Sequence, residues 1–327
     1  MEKVALSVVR VENLTKQRHY PHYRQDYMHS SKMSLSADPV TTLVLVDVQK
    51  DFHSGGSLAI PTANEDAARI AKLLSDHPEK INRVVATMDS HQKLHIAHPG
   101  FWLSGEDSKT HPPPFTLISS QDILAGKWKP RTDLKIPPHT IDGSIFGGLN
   151  QVLGSDGLID LYKYSIEYTK RLEATGKFTL CIWPEHCLIG SPGHCMVDTV
   201  FDAIKTWSQT TGGSVEWVLK GQNLLTESYS AIEAEVPVDK ATSFNSDVQK
   251  SLERSDHLIV CGQAMSHCVN YTTRSIVKRW PKDKLSNITL LTDCASSVPG
   301  FEGEGDGFQK EMSALGVKLK KSVDLFA

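Results

Sequence analysis

The stretch TTLVLVDVQKDF, residues 41–52, decides how this chain is read. Its first six residues are apolar or β-branched, and the acidic Asp47 follows. A run so short, with no polar alternation, fits a strand covered on both faces rather than a helix. Outward from it, a Gly-Gly turn stands at 55–56 and EDAARIAKLL (65–74) has helical spacing, with Thr62 or Asn64 as its N-cap. RVVATMD (83–89) is a second buried strand. VEWVLKG (215–221), HLIVCG (257–262), ITLLTD (288–293) and VKLKK (317–321) repeat the pattern. Between and after them VDTVFDAIKTWSQ (197–209), CVNYTTRSIVKRW (268–280) and residues 308–315 read as helices. Strands alternating with helices predict an α/β fold, a mostly parallel sheet covered on both faces. In such sheets ligands bind beyond the carboxyl ends of the strands, so chemistry is sought there.

The chain has 327 residues, 39% hydrophobic and 22% charged, enough for a substantial core. We read residues 41–327 as one domain, preceded by an N-terminal extension (1–40) and interrupted by an insertion at about 98–177. The insertion holds Pro112-Pro113-Pro114, Pro130 and Pro137-Pro138. Within it SIEYTKRLEA (165–174) is the best helix candidate, and FTLCIW (178–183) reads as a strand entering a site loop. Lys and Arg number 35 against 38 Asp and Glu, a net charge of -3. That balance argues against a nucleic-acid partner. No apolar run approaches the roughly 20 residues that span a bilayer, so no membrane partner is expected. Arg10 and Glu12 break the first apolar stretch, so it is not read as a secretory signal. The six cysteines read as reduced thiols of a cytoplasmic protein.

Asp47 closes the first strand, Asp89 the second and Lys220 the VEWVL strand, while Cys268 lies just past HLIVCG at a helix start. Four such groups at corresponding strand ends form a constellation. Cys268 is the candidate nucleophile: a helix N-terminus favours its thiolate, and Lys220 could stabilise it. Asp47 could take the thiol proton and return it to a leaving group. Cys261, inside a strand, reads as a small buried hydrophobe. Cys294 is the rival nucleophile and Asp51 the rival base. Asp89 and His91 stand at i and i+2, able to share one metal. His186 is the natural third ligand, with His95 and His98 in reserve. Two histidines and a carboxylate suit Zn, Fe or Mn. An oxygenase could use such a site, but it would leave Cys268 and Lys220 idle.

Five pieces in order carry a resemblance: VDVQKDF with GGSLAIP, ATMDSH, IWPEHCLIGSPG, VLKG with ESYSAI, and CGQAMSHCV. Together they resemble the isochorismatase-like cysteine hydrolases, and among these the nicotinamidases most closely. The likeness spans 41 to about 91 and again from 178 onward. It implies a three-layer α-β-α fold and a triad of Asp47, Lys220 and Cys268, and it places the metal ligands at Asp89, His91 and His186. It implies a cis peptide before Ala264, with the backbone N–H groups of Ala264 and Cys268 as oxyanion hole. Phe52 and Trp183 fall where aromatic side chains flank the substrate ring. The implied activity is metal-assisted hydrolysis of a small carboxamide, nicotinamide to nicotinate first, within pyridine nucleotide metabolism. Another small amide, a ureido compound or an isochorismate-like substrate is the alternative. The partner implied is a small molecule, and such proteins often self-associate as homo-oligomers. Ser90, Met88 and Met265-Ser266-His267 differ from the residues common at those positions.

Overall fold

The computed structural model describes residues 39–176 and 179–327. Six strands form the central sheet: β1 (Thr41–Val46), β2 (Arg83–Asp89), β3 (Val215–Lys220), β4 (His257–Gly262), β5 (Ile288–Leu291) and β6 (Lys318–Lys320). Their spatial order is β6-β5-β4-β1-β2-β3, and every pair is parallel. The order reverses between β1 and β4, which is where open α/β sheets leave a crevice for ligand. The expectation of a mostly parallel sheet holds.

Helices cover both faces: α1 (Ala63–Asp76), α2 (Leu161–Ala174), α3 (Asp198–Thr211), α4 (Ser246–Glu253), α5 (Cys268–Arg279) and α6 (Glu302–Ala314). Side chains alternate across a strand, so β1 feeds two cores. Leu43 and Leu45 pack with Ile70 and Leu74 of α1 and Ile204 and Trp207 of α3. Val44 and Val46 belong to the other core, with Val269 and Ile276 of α5 and Phe308 and Met312 of α6. All six residues of β1 are buried, as their unbroken apolar run requires. Gly262 ends β4 with a φ of +119°. A Cβ there would lie 2.1 Å from the carbonyl oxygen of Val46, so only glycine lets β4 turn so close to β1.

The insertion has structure of its own. Trp102–Ser104 pairs antiparallel with Trp128–Pro130, and Leu117–Ile118 with Leu180–Cys181. The sequence reading of 178–183 as a strand holds only at Leu180–Cys181. Residues 177 and 178 lie outside the described residues, and the remaining strand, two residues long, pairs within the insertion instead of joining the central sheet. Helix α2 begins four residues earlier than the periodicity suggests, because Asp160 accepts a hydrogen bond from the Lys163 amide and caps it. Helix α6 likewise starts at Glu302 rather than 308, running through three glycines. Helix α4, capped by Asn245, has no counterpart in the sequence reading. Phe101, Trp102, Phe146, Tyr164 and Tyr168 are fully buried and tie the insertion to the same core as the sheet. Residues 39–327 form one compact unit. Among the described residues no helix is long and apolar enough to cross a membrane.

The Tyr164 hydroxyl donates to the Leu225 carbonyl at 2.6 Å, both buried. Tyr164→Phe leaves that carbonyl unpaired. We expect a loss of about 1–3 kcal/mol, read as a lower denaturant midpoint at unchanged slope.

Candidate active site

The carboxyl ends of β1, β2 and β3 and the start of α5 bring four ionisable side chains together. Asp47, the first residue beyond β1, adopts a φ of 47° and is fully buried. Its amide donates to the Thr87 carbonyl at 3.1 Å, and the Thr87 hydroxyl donates back to its Oδ1 at 2.5 Å. Lys220 Nζ lies 2.9 Å from Asp47 Oδ2, an ion pair off the hydrogen-bond line. It donates to Asp89 Oδ1 at 3.0 Å, to the Ser228 carbonyl at 2.9 Å and to Cys268 Sγ at 3.4 Å. Cys268 is the first residue of α5. The expected triad is therefore one cluster.

Burial dominates the protonation states. It opposes the charge on Lys220, but the carboxylates of Asp47 and Asp89 outweigh it and hold the ammonium well above the usual lysine range. Burial raises Asp47, with Lys220 opposing and Asp89 adding to the rise. Burial also pushes the Cys268 thiol well up, against the pull of Lys220. Burial thus favours the neutral thiol and works against the preference of the helix start and of Lys220 for the thiolate. Ionisation of the thiol must accompany proton transfer. The rivals are set aside on geometry. Cys294 faces Asp293 Oδ1 at 3.6 Å, and burial pushes its thiol up to about 12. Asp51 is occupied by the backbone amides of Cys187 and Ser57.

Asp89 links this cluster to a second one. Its Oδ2 lies 3.1 Å from His91 Nε2 and 3.2 Å from His186 Nε2. The far nitrogens face carbonyls: His91 Nδ1 that of Gly221 at 3.1 Å, His186 Nδ1 that of Pro184 at 2.8 Å. Such outer partners orient metal-binding histidines. Burial raises the Asp89 carboxyl, but His91 and Lys220 override it and hold it well below the usual range. His91, His98 and His186 are placed so that they could together hold a metal ion, and so are His91, His95 and Glu227. The two reserve histidines now separate. His95 Nδ1 accepts from the Ala97 amide at 3.2 Å, so its Nε2 carries the proton and donates to the Thr226 carbonyl at 3.0 Å. Both its nitrogens are used. His98 gives Nδ1 to the Lys93 carbonyl at 3.3 Å and leaves Nε2 buried without a partner. A buried lone pair among imidazoles and a carboxylate fits a cation. Burial, with His91 and His186 beside it, lowers His98 to about 3, which keeps that lone pair available.

Two residues that hold this frame had no separate signal in the sequence. The Gln49 side chain donates from Nε2 to the Asp89 backbone carbonyl at 2.7 Å and accepts at Oε1 from the Asp89 backbone amide at 2.8 Å, clamping β2 to the residues just beyond β1. Gly221 has a φ of +75°, and a Cβ there would reach 2.9 Å from the His91 ring and 3.0 Å from Asp89 Oδ1. The lysine of VLKG therefore needs its glycine.

Above the thiol lies a slot lined by Phe52, Trp183, His186, Tyr229, His267 and Glu227, among others. The space inside, open solvent at its mouth included, is about 340 Å³. Phe52 meets the His186 ring edge-on at 5.5 Å. The Trp183 indole N–H donates to the Tyr229 hydroxyl at 3.1 Å, and its ring crosses His267 at 5.0 Å. Burial lowers His267 to about 4, so it forms a neutral wall. Glu227 is 4% exposed. Its Oε1 accepts from the Ser228 amide, and its Oε2 has no partner. Tyr229 and Glu227 escaped the sequence reading although ESYSAI contains them, and His267 was noted there only as differing from the residue common at its position. The Gln263–Ala264 peptide is cis, and neither the Ala264 nor the Cys268 amide donates to another described residue.

No family model matches the chain. In sequence it is similar to the nicotinamidase of Saccharomyces cerevisiae, 24% identical over 237 residues, 72% of this chain and 80% of that protein. In fold it is similar to an Acinetobacter baumanii nicotinamidase/pyrazinamidase, with TM-score 0.54, 20% identity and coverage of 88% of this chain and 99% of that one. It is also similar to the yeast nicotinamidase bound to the inhibitor nicotinaldehyde, with TM-score 0.55, 20% identity and coverage of 86% and 100%. The resemblance read from the motifs stands, and the fold is the three-layer isochorismatase-like hydrolase fold.

The tautomer argument separates two substitutions. His98→Ala should weaken retention of a divalent metal by about tenfold or more. His95→Ala should lower the unfolding midpoint, since Thr226 and Ala97 lose their partner, but leave metal content unchanged. Metal analysis after dialysis against a graded chelator checks both, and equal metal loss in the two variants contradicts the assignment.

Proposed function

We propose that this protein hydrolyses the amide bond of a small aromatic carboxamide through a thioester on Cys268, with nicotinamide as the leading substrate and nicotinate as product. The observation that carries the reading is Lys220 Nζ at 2.9 Å from Asp47 Oδ2 and 3.4 Å from Cys268 Sγ at the point where the strand order reverses. The named activities of the similar proteins support it.

The substrate ring enters the slot between Phe52 and Trp183. Asp47 takes the thiol proton as sulfur attacks the carboxamide carbon. The oxyanion accepts hydrogen bonds from the amides of Ala264 and Cys268, each typically worth about 3 kcal/mol in such sites. Asp47 then gives the proton to the nitrogen, the C–N bond breaks and ammonia leaves. A water, losing its proton to Asp47, attacks the thioester; the C–S bond breaks and the thiol regains its proton. Lys220 stays charged throughout and balances the negative charge as it passes between carboxylate and sulfur. Asp89, His91 and His186, with His98, would hold a divalent cation such as Zn, Fe or Mn, which when bound anchors the ring nitrogen.

A second reading keeps this chemistry and changes the acyl group. The unpaired Oε2 of Glu227 in the slot wall is an acceptor that nicotinamide's ring cannot satisfy. It favours a small amide or ureido compound with an additional N–H or O–H.

Cys268→Ala should abolish ammonia release from nicotinamide, a loss of several orders of magnitude, while metal content and unfolding midpoint stay near those of the parent. A coupled ammonia assay over nicotinamide, ureido and maleamate-type compounds reads both substrate and variant. Continued turnover by the alanine variant would falsify the thioester route.

A further inference from the structure

Gln263 precedes the Ala264 amide, and its side chain points away from the slot into a buried polar cluster under α1. Gln263 Nε2 donates to Asp66 Oδ2 at 2.9 Å, and the Ser296 hydroxyl donates to the same oxygen at 2.6 Å. Arg69 donates to Asp66 Oδ1 at 2.9 Å and also to the Asp293 carbonyl. Asp66 is 1% exposed and Gln263 fully buried. The cluster grips both ends of the turn that carries the oxyanion donors. The Gln263 amide donates to the Val46 carbonyl at 2.7 Å, and the Met265 amide to the Ser296 carbonyl at 2.8 Å. Thr62 Oγ1 adds a bond to Ser296 Oγ at 2.7 Å. Beyond Met265, the Ala264 carbonyl accepts from the amides of His267 and Val269, so the turn is closed onto the start of α5.

We propose that Asp66 is a positioning residue for the oxyanion hole: by fixing Gln263 and Ser296 it sets where the Ala264 N–H lies relative to Cys268. Asp66 touches neither substrate nor thiol and acts only through this turn. Its carboxylate receives three donors from three chain segments, so no neutral side chain of the same shape accepts all three. Loosening one side leaves Ala264 bonded through its carbonyl but releases its peptide plane, and donors displaced from the developing oxyanion lose their value steeply. The inference rests on the amide-hydrolase reading.

The test compares the parent with Asp66→Ala, which removes the acceptor shared by Gln263 and Ser296, and with Gln263→Leu, which cuts the same link without removing the carboxylate. For both, kcat with nicotinamide should fall about tenfold or more with KM within twofold, since the lost contact is made only in the transition state. Nicotinaldehyde supplies a second readout. Its carbonyl carbon forms a bond with Cys268 sulfur while the π pair and the thiol proton go to oxygen, placing that oxygen in the hole. Its inhibition constant should rise about in step with the fall in kcat, while the affinity for nicotinate, which forms no such adduct, is unchanged. A purely stabilising role would lower the unfolding midpoint and move neither kcat nor aldehyde affinity at temperatures well below it; that result overturns the proposal. An inactive parent would overturn the amide-hydrolase reading, and the aldehyde comparison would still decide the role of Asp66, because it needs only the thiol and the two amides.

Discussion

The buried ammonium of Lys220 between the carboxylates of Asp47 and Asp89 is the constraint on which the site depends. Removing each ion from water costs roughly several kcal/mol, and the cost is offset only where geometry and further hydrogen bonds are good. Here the Ser228 carbonyl, the Thr87 hydroxyl and the two histidines supply those bonds. The lysine joins two kinds of chemistry. One carboxylate faces the sulfur and handles a proton. The other faces the imidazoles and is held ionised by them.

The sheet order explains why these groups meet. Chain connections leave β1 toward β2 on one side and reach β4 on the other, so no helix crosses the gap above their carboxyl ends. Asp47 and Cys268 stand on opposite banks of that gap, and Gly262 lets the banks approach. The insertion reaches the site from a third side. The Tyr168 hydroxyl accepts from the Glu227 amide at 3.1 Å, and Phe115 meets Trp183 at 5.8 Å. The segment without counterpart in the matched motifs thus braces the slot.

Much of this was legible in the chain because the signals are local. Asp47, Asp89 and Lys220 each close an apolar β-branched run, and Cys268 opens an amphipathic one. What was hidden depends on distant partners. His95 and His98 look equivalent in HIAH, and only the Thr226 carbonyl, 131 residues on, gives the far nitrogen of one of them a partner that the other lacks. The insertion's strands, two or three residues long, are too short for any period to show. Helix α6 begins among glycines that disfavour it, and packing decides the matter: a side chain at 305 would collide with Ser297. The thiol's resting protonation likewise follows from burial, which one-dimensional spacing does not report.

Lys220 ends β3, a strand paired on one side only, to β2, with Trp217 and Leu219 45% and 50% exposed. Rim strands are where sheets fray first. The molecule has hung a buried charge on an edge strand, and the attraction of two interior carboxylates acts as a stitch that fastens the rim. Order at the margin of the sheet and readiness for proton transfer at its centre are therefore one property, and whatever neutralises the lysine undoes both together.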